Sequence, residues 1–461
     1  MYLDTQIAGF LITSGKRSYS SAILADILAS SDKGLSKEEF FLQNAEDLIA
    51  KLKEKEVWPL YSEIELPLAH VLAEMESTGV KIDLEVLKKL SIDLKEKVKE
   101  TEKSIFRIAG EEFTIASPKQ LQHILFEKLK LPAGKKTKTG FSTDVKVLEE
   151  LAATHPLPAL IIEYRQYQKL LSTYIDALPP LADEDSRVHT SFNQTIASTG
   201  RLSSINPNLQ NIPIRTPLGR EIRKAFIADK GNYLIAADYS QIELRLLAHY
   251  SEDARLQDAF SKGQDIHTYT ASLIHGKSIE DVTSDERRAA KTVNFGIIYG
   301  MGPFKLATDL KISLPEAKTF ITTYFETYPS IKQFLEKTEE EAKENGFLRT
   351  LTGRLRYFPE LKAQNRMLYE AGKREAINFP LQGTAADIIK IAMVRIGNRL
   401  REMDSQSKLI LQVHDELVLE VPENEVETIT KMVSKEMEGA YELNVPLKVD
   451  IGVGKSWYEA H

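Results

Sequence analysis

Long stretches of the chain carry hydrophobic residues at helical spacing. Between residues 84 and 98, apolar residues recur every three or four positions among lysines and glutamates, which predicts long, solvated helices. Residues 37–57 show a similar pattern and predict another helix, and helical patterns dominate from 265 to 345. The sequence therefore predicts a large helical content.

Three short apolar runs have the length and the boundaries of strands. They cover residues 233–237, 409–413 and 417–421, and His414 and Asp415 form a tight turn between the last two. The helical region separates the first run from this hairpin. We therefore expect an α+β fold in which one sheet is assembled from distant segments.

Composition excludes several classes of protein. The 461 residues correspond to about three domains, and 60 Lys and Arg against 67 Asp and Glu give a net charge of −7, which argues against a histone-like protein. Cysteine is absent, which excludes disulfide scaffolds, thiolate zinc sites and cysteine nucleophiles. No apolar run is long enough to span a membrane, and the first residues match a signal peptide poorly. We expect a soluble, multi-domain, cytoplasmic protein.

Carboxylates stand at the ends of two predicted strands. Asp238 follows the run 233–237, and Asp415 and Glu416 lie in the hairpin turn between two hydrophobic strands. A carboxylate at a strand end is costly unless it is solvated, paired or bound to a metal. Turn aspartates commonly bond their own backbone, so an ordinary turn is the alternative for Asp415. With no cysteine and few histidines, two such acids fit an oxygen-ligated Mg²⁺ site better than a zinc site.

The predicted helix over 284–300 places cations and aromatic rings on one face. Successive members of the set are four residues apart, so each turns by only about 40° from the one before. The set is Arg287, Lys291, Phe295 and Tyr299. A polyphosphate would lie along the cations and a flat base at the aromatic end, with His267 as a further phosphate donor. The alternative is a solvated cationic stripe that merges into core aromatics.

A polar loop and a glycine-rich segment complete the candidate motifs. Residues 198–211 combine hydroxyls, amides and Arg201, which suits contacts to phosphate oxygens and the minor groove, although an ordinary loop has a similar composition. The segment 452–456 ends in Gly-Lys-Ser, but the first glycine of a phosphate-binding loop would fall at Val449. We therefore expect no phosphate loop there.

Taken together, these motifs resemble those of the family A DNA polymerases. DYSQIELR at 238–245 and QVHDE at 412–416 match the family's two catalytic motifs, and RRAAKTVNFGIIYG at 287–300 matches its fingers helix. TGRLSS and PNLQNIP within 199–213 and INFPLQGTAAD at 377–387 match its primer-template contacts. The similarity runs from about residue 62 to the last residue.

The resemblance implies a right-hand fold with a palm sheet and a helical thumb and fingers. The expected boundaries are 1–60 for a remnant of an RNase H-like exonuclease domain, 61–82 for the start of the palm, 83–180 for the thumb, 181–261 for the palm, 262–365 for the fingers and 366–461 for the palm.

The resemblance also implies the role of each site residue. Asp238, Tyr239 and Asp415 would hold two Mg²⁺, with Mn²⁺ able to substitute, and Glu416 would be a supporting catalytic carboxylate. The residues expected to bind the deoxynucleotide are Gln241, Glu243, His267, Arg287, Lys291, Phe295 and Tyr299. Within this set, Phe295 would stack on the base, and Glu243 with Tyr299 would close the space that a ribose 2′-hydroxyl needs.

A third set of residues would hold the DNA. The residues expected at the primer end of the duplex or at the template base are Arg201, Asn208, Gln210, Asn211, Gly300, Gln382, Gln412 and His414. The residues expected to grip duplex phosphates at the thumb tip are Lys135, Lys136 and Lys138.

The first 60 residues depart from the family pattern. They resemble the later part of a 3′–5′ exonuclease domain, with Asp4 and Asp47 at or near metal carboxylates, but Gln43 replaces the expected tyrosine. The paired carboxylates of that domain's first half are missing, so we expect no proofreading, and no 5′-nuclease activity either.

The leading hypothesis is a monomeric, template-directed DNA polymerase acting on primer-template DNA and dNTPs, without a membrane partner. A single-subunit RNA polymerase-like enzyme is one alternative, although Glu243 and the TGRLSS loop favour DNA synthesis. A non-catalytic, polymerase-derived DNA-binding subunit is the other, although the catalytic acids are present.

Overall fold

The computed structural model describes residues 3–14, 19–28, 36–132, 136–137, 140–214 and 216–461. Its α helices are α1 (Thr5–Thr13), α2 (Ser21–Leu28), α3 (Lys37–Glu54), α4 (Leu66–Thr78), α5 (Leu84–Ala109), α6 (Pro118–Gln122), α7 (Val145–Ala152), α8 (Pro156–Leu170), α9 (Pro217–Arg223), α10 (Ile242–Ser251), α11 (Ala254–Ser261), α12 (Ile266–His275), α13 (Ser284–Ile298), α14 (Pro303–Leu310), α15 (Leu314–Thr327), α16 (Pro329–Asn345), α17 (Arg366–Glu402) and α18 (Val426–Glu438). Within these ranges, no helix is both long enough and apolar enough to cross a membrane.

The strands are short, with two to eight residues each, and contain far fewer residues in total than the helices. They are β1 (Val80–Lys81), β2 (Lys136–Thr137), β3 (Gly140–Phe141), β4 (Arg187–Val188), β5 (Ser191–Asn193), β6 (Ser203–Ile205), β7 (Asn232–Tyr239), β8 (Phe347–Arg349), β9 (Leu355–Tyr357), β10 (Lys408–Val413), β11 (Glu416–Pro422) and β12 (Val449–Gly454). Single π-helical turns cover Leu60–Glu65, His123–Lys128 and Leu171–Ile175, and 3₁₀ turns cover Pro179–Leu181, Pro359–Lys362 and Glu423–Glu425.

The central sheet is antiparallel, with strand order β10-β11-β7-β12. The three predicted strands all form, each one to three residues longer than its apolar run, and His414 and Asp415 form the turn between β10 and β11. The fourth strand, β12, was not predicted because its alternating glycines break the apolar pattern. The expected α+β fold, with one sheet built from distant segments, is confirmed.

The sheet separates two hydrophobic cores because its side chains alternate between faces. Ile235 and Ala237 of β7 face a large core shared with α10, α17 and α18, whereas Leu234 and Ala236 face a second core with α5 and Trp457. Asp238 has the same parity as Leu234 and Ala236. The carboxylate at the end of β7 therefore lies on the α5 side of the sheet.

The predicted helical regions are confirmed with changed bounds. The pattern at 84–98 belongs to α5, a single helix of 26 residues that Asp83 caps and that ends at Gly110 with φ 73°. A smaller core around Ile105, Leu148 and Ile161 joins α5, α7 and α8. The predicted helix over 284–300 is α13, which ends at Ile298 and leaves Tyr299 as its C-cap.

Candidate active site

Strand register brings three carboxylates side by side at one end of the sheet. Asp238 lies directly opposite Glu416 on β11 and opposite Asp450 on β12, so the three side chains share one face. Asp415 lies in the turn, and its carbonyl accepts from the Tyr239 amide at 3.1 Å. Glu416, which was predicted in the turn, is instead the first residue of β11, because it pairs with Val413 and Asp238. The turn requires His414 to adopt φ 54°. The sequence had placed Asp238, Asp415 and Glu416 together, and the structure does the same.

Glu416 lies 3.8 Å from the buried Arg223, whereas Asp238 and Asp415 have no ion pair among the residues that the structure describes. Burial, together with the nearby Glu416 and Asp415, raises the pKa of Asp238 to about 7. Burial also raises the pKa of Asp415, against the opposing effect of Arg201. A divalent cation would relieve both penalties, so the pair fits a metal. Among the described residues, no group of three His, Asp or Glu side chains is arranged to hold one, so substrate or water oxygens would complete the shell.

Glu416 and Tyr239 are held by other parts of the protein. The Glu416 carboxylate accepts from Trp457 Nε1 at 2.9 Å and lies 3.3 Å from His461 Nδ1. The Tyr239 hydroxyl donates to the Met437 carbonyl at 2.7 Å in the core on the opposite face. Tyr239 can therefore offer a metal only its main-chain carbonyl, and Glu416 is tied to the C-terminal segment.

Glu243 joins two sequence-predicted residues into one cluster. Its side chain is 6% exposed, accepts from the Tyr299 hydroxyl at 2.7 Å and accepts from Arg201 at 3.0 Å. Burial raises the pKa of Glu243, although both partners lower it. The Asp415 charge also acts on the pKa values of Glu243 and Tyr299, so this cluster adjoins the carboxylate edge.

An open cavity of about 940 Å³ runs along α13. Lys291, Phe295 and Tyr299 line it, as the helical spacing predicted, together with Gly300. Arg288 lines the cavity in place of the predicted Arg287. The cavity thus offers four cationic side chains, those of Arg288, Lys291, Lys305 and Arg374, and two aromatic rings beside the Glu243 cluster.

Arg287 and His267 are bound to neighbouring residues of the same region. Arg287 donates to Asp265 twice, at 2.7 and 3.2 Å, on the surface between α12 and α13. His267 is buried and lies 3.1 Å from the amide of Asn294. Burial lowers the pKa of His267 to about 4, so the ring is neutral at ordinary pH. Its ring centroid lies 5.5 Å from that of Phe295.

Gln241 precedes α10 with a left-handed backbone, φ 55°. Its side-chain oxygen is buried and has no hydrogen-bond partner among the residues that the structure describes. Gln241 is the residue before α10, the helix that carries Glu243, so it lies close to the Glu243 cluster.

The predicted DNA contacts form a chain of amides behind the turn. Gln210 donates to the Gln412 side chain at 2.9 Å, and Gln412 donates to the His414 carbonyl at 2.5 Å. Asn208 is exposed and caps the Gln210 amide at 3.0 Å. These hydrogen bonds link the loop at 208–210 to the turn that carries Asp415.

The remaining predicted DNA contacts are scattered. Asn211 offers its carbonyl to Tyr174, and Gln382 is half-buried in α17. Lys135 and Lys138 lie outside the described residues, and only the backbone of Lys136 is described, in β2. The structure therefore does not place the thumb-tip lysines.

The two aspartates assigned to an exonuclease remnant have other positions. Asp4 caps α1, accepting from the amides of Gln6 and Ile7 at 2.8 and 3.0 Å. Asp47 is exposed on α3. Neither forms part of a metal-binding cluster within the described ranges.

Sequence analysis did not assign three residues of the site. Asp450 follows no apolar run, so the sequence predicted neither its strand nor its position opposite Asp238. Asp265 carries a helix-capping signal, three residues before Thr268, but no sign of its pairing with Arg287. Arg374 reaches the cavity from α17, far away in sequence.

Comparison with known proteins gives consistent matches over most of the chain. The model of the family described as "DNA polymerase family A" matches residues 84–459. The DNA polymerase I of Lactococcus lactis subsp. cremoris is 50% identical over 439 residues, which is 95% of this chain and 49% of that protein. The thermostable DNA polymerase I of Thermus aquaticus is 50% identical over 411 residues, 88% of this chain and 49% of that protein.

A solved structure is similar over nearly the whole chain. It is described as the POL domain of Pol1 from M. smegmatis in complex with DNA primer-template and dNTP. The TM-score is 0.94 at 40% sequence identity, covering 99% of this chain and 82% of that chain. The chain spans about half the length of the curated relatives it matches.

Proposed function

Because this chain belongs to DNA polymerase family A, we propose that it is a template-directed DNA polymerase. It would add dNTPs to a primer 3′-hydroxyl and release pyrophosphate. The observation that carries the proposal is that Tyr299 connects the cavity along α13 to the carboxylate edge: it lines the cavity, bonds Glu243 at 2.7 Å and lies within the electrostatic influence of Asp415. Such a site holds both an anionic edge for metal-bound phosphates and a cationic, aromatic wall for a nucleotide. The similar POL domain of Pol1, which is in complex with DNA primer-template and dNTP, supports the same partners.

Metal dependence is general in this family, and we propose two Mg²⁺ as the ions. Asp238, Asp415 and the Tyr239 carbonyl would hold them, because both carboxylates have raised pKa values and no ion pair among the described residues. When bound, such ions favour ionisation of the primer hydroxyl and neutralise the charge that develops on the phosphates.

The cavity residues would bind and orient the nucleotide. Lys291 is exposed on the cavity wall and would hold the triphosphate, and Phe295 would stack on the base. Arg287 would exchange its bond to Asp265 for a phosphate oxygen, since both acceptors are anionic and this ion pair is partly exposed. Neutral His267 would act as a hydrogen-bond donor rather than as a charge.

Sugar selection falls to the Glu243 cluster. Glu243 and Tyr299 are joined at 2.7 Å, and Arg201 fixes the other carboxylate oxygen. A ribose 2′-hydroxyl would have to enter beside this pair and would displace one of its hydrogen bonds. The cluster therefore favours DNA over RNA synthesis.

The right-hand domain boundaries form part of the same proposal. The palm would comprise 61–82, 181–261 and 366–461, the thumb 83–180 and the fingers 262–365, and 1–60 would be the exonuclease remnant. The amide chain from Gln210 to His414 would meet the primer end of the duplex, because it lies directly behind the Asp415 turn.

A primer-extension assay tests this function. With Mg²⁺, a primed template and dNTPs, we expect template-directed extension, and with rNTPs we expect little. Extension preferring rNTPs would favour an RNA polymerase-like enzyme, and DNA binding without any extension would favour a non-catalytic subunit. An unprimed, non-complementary strand is the control.

A further inference from the structure

Two carboxylates and two cations are buried together where three distant parts of the chain meet. The four side chains, each at most 2% exposed, are Glu65, Arg354, Asp387 and Lys390. Arg354 Nε donates to Asp387 at 2.7 Å and its Nη2 donates to Glu65, which also accepts from Lys390 at 2.6 Å. Although burial opposes the ionisation of Glu65, Lys390 and Arg354 hold its pKa well below the ordinary value. We call these four residues the buried ion network.

Stability alone does not account for such a network. Apolar residues of similar volume commonly stabilise a core as well as buried ion pairs do. The property that apolar residues lack is orientation: acceptors from the π-helical turn Leu60–Glu65 and from α17 fix the plane of the Arg354 guanidinium on two sides. A rigid, planar group at this point can serve as a platform for what packs on it.

The turn at Gly200 packs directly on that guanidinium. Gly200 adopts φ +83°, and a Cβ there would lie only 2.7 Å from Arg354 Cζ. Its amide is bonded to the Ala197 carbonyl at 2.8 Å, which closes the turn. The next residue is Arg201, whose guanidinium reaches Glu243 at 3.0 Å. The path from Arg354 to the sugar-selecting cluster is therefore one turn long.

We propose that Arg354 is a positioning residue for nucleotide addition, acting through the Gly200 turn on Arg201. The inference rests on the proposed polymerase function. Arg354 itself is too deeply buried to reach substrate, since its side chain is 2% exposed. Lysine at this position would keep the charge but lose the flat surface and the paired donors that hold it in plane. The Gly200 turn would then be free to shift, and Arg201 with it.

A double-mutant cycle separates positioning from general stability. The variants are Arg354→Lys, Arg201→Ala and the double variant, and the measurement is the single-turnover rate of dNTP addition at saturating DNA. We expect Arg354→Lys to slow addition about tenfold in the parent protein but less than about twofold once Arg201 is absent. Equal losses in both backgrounds would overturn the inference. Extension by the unmutated protein tests the proposed function separately.

Lys390→Met is the matched control because Lys390 belongs to the network but is not the side chain on which Gly200 rests. We expect it to lower the thermal unfolding midpoint while leaving the addition rate within about twofold of the parent. A rate loss as large as that of Arg354→Lys would overturn the specific role of Arg354. If Arg354→Lys unfolds below the assay temperature, Asp387→Asn replaces it, with the same non-additivity expected.

Discussion

Two carboxylates of the site, those of Glu243 and Asp238, have different surroundings. Glu243 accepts hydrogen bonds from Tyr299 and Arg201, so its charge is already compensated by the protein. Asp238 has no such donor within the described part of the chain, and its pKa rises to about 7. The hydrogen-bonded Glu243 suits a fixed steric gate, whereas Asp238 suits a group that binds a cation.

Replacement of Glu243 tests the gate. We expect Glu243→Ala to raise the ratio of ribonucleotide to deoxynucleotide kcat/KM by about tenfold or more, because it opens the space beside Tyr299. Steady-state incorporation of matched rNTP and dNTP measures the ratio. Glu243→Gln is the control, since it keeps the side-chain volume and should change the ratio much less. An unchanged ratio in the alanine variant would refute the gate.

His267 predicts a pH dependence of stability. Burial, assisted by Lys291 and Arg287 and opposed by Asp265, lowers its folded pKa to about 4, whereas the unfolded value is about 6.5. As pH falls through this window the unfolded chain binds a proton that the folded chain does not, so stability is lost on acidification. Between about pH 7.5 and about pH 5 the loss is on the order of 2 kcal/mol.

Chemical denaturation of the parent and of His267→Gln at both pH values measures this contribution. We expect the parent to lose more stability than the variant on acidification, because only the parent carries the buried imidazole. Parallel losses in the two proteins would contradict the assignment of the depressed pKa to His267.

At the scale of elements, apolar periodicity predicts which segments form strands and helices, but it does not predict accurately which side chains of a helix line a cavity. Apolar periodicity within each segment was enough to predict the strands at 233–237 and 409–421 and the helix α13. The cavity wall differs from the predicted face, since Arg288 lines it and Arg287 pairs with Asp265. Each step of four residues drifts by about 40°, so a face defined at one end of a helix has turned away by the other.

The glycines of β12 have a packing role rather than a phosphate-binding one. A Cβ at Gly452 would lie 2.8 Å from the carbonyl carbon of Ala460, so the C-terminal segment crosses the strand in close contact. We expect Gly452→Ala to destabilise the protein by about 1–3 kcal/mol through overpacking. The thermal unfolding midpoint measures it. Gly302→Ala is the control, because a Cβ there meets nothing within 4 Å; equal midpoints for the two variants would contradict this role.

At the scale of the whole molecule, the pairings between distant segments were beyond sequence reasoning. Arg354 and Glu65 are 289 residues apart, and no local pattern links them. Asp450 joined the carboxylate edge only through strand register. In contrast, Asp238 and Asp415 were predictable, because a strand end and a hairpin turn are local features that each present an acid. The net charge of −7 did not predict the site, because the charge there depends on a few individual cationic side chains rather than on the total for the chain.

The N-terminal segment predicts a further property of the molecule. Asp4 is engaged as the cap of α1 and Asp47 is exposed on α3, so these two aspartates do not form a metal pair. We therefore expect this 461-residue chain to leave a 3′-mismatched primer untrimmed in the presence of Mg²⁺ and absence of dNTPs. Gel analysis of an end-labelled primer checks this, with a matched primer as control. Metal-dependent shortening of the mismatched primer would refute the prediction.

The central claim is that Asp238 and Asp415 carry the metal-dependent chemistry, and single-turnover primer extension tests it most directly. Asp238→Asn and Asp415→Asn should each slow nucleotide addition by about a thousandfold or more, because each removes a charged ligand, while affinity for primer-template changes by less than about threefold. Asp450→Asn, the other neighbour of Asp238, should retain addition within about tenfold. Addition at the parent rate by either Asp238→Asn or Asp415→Asn would contradict the account.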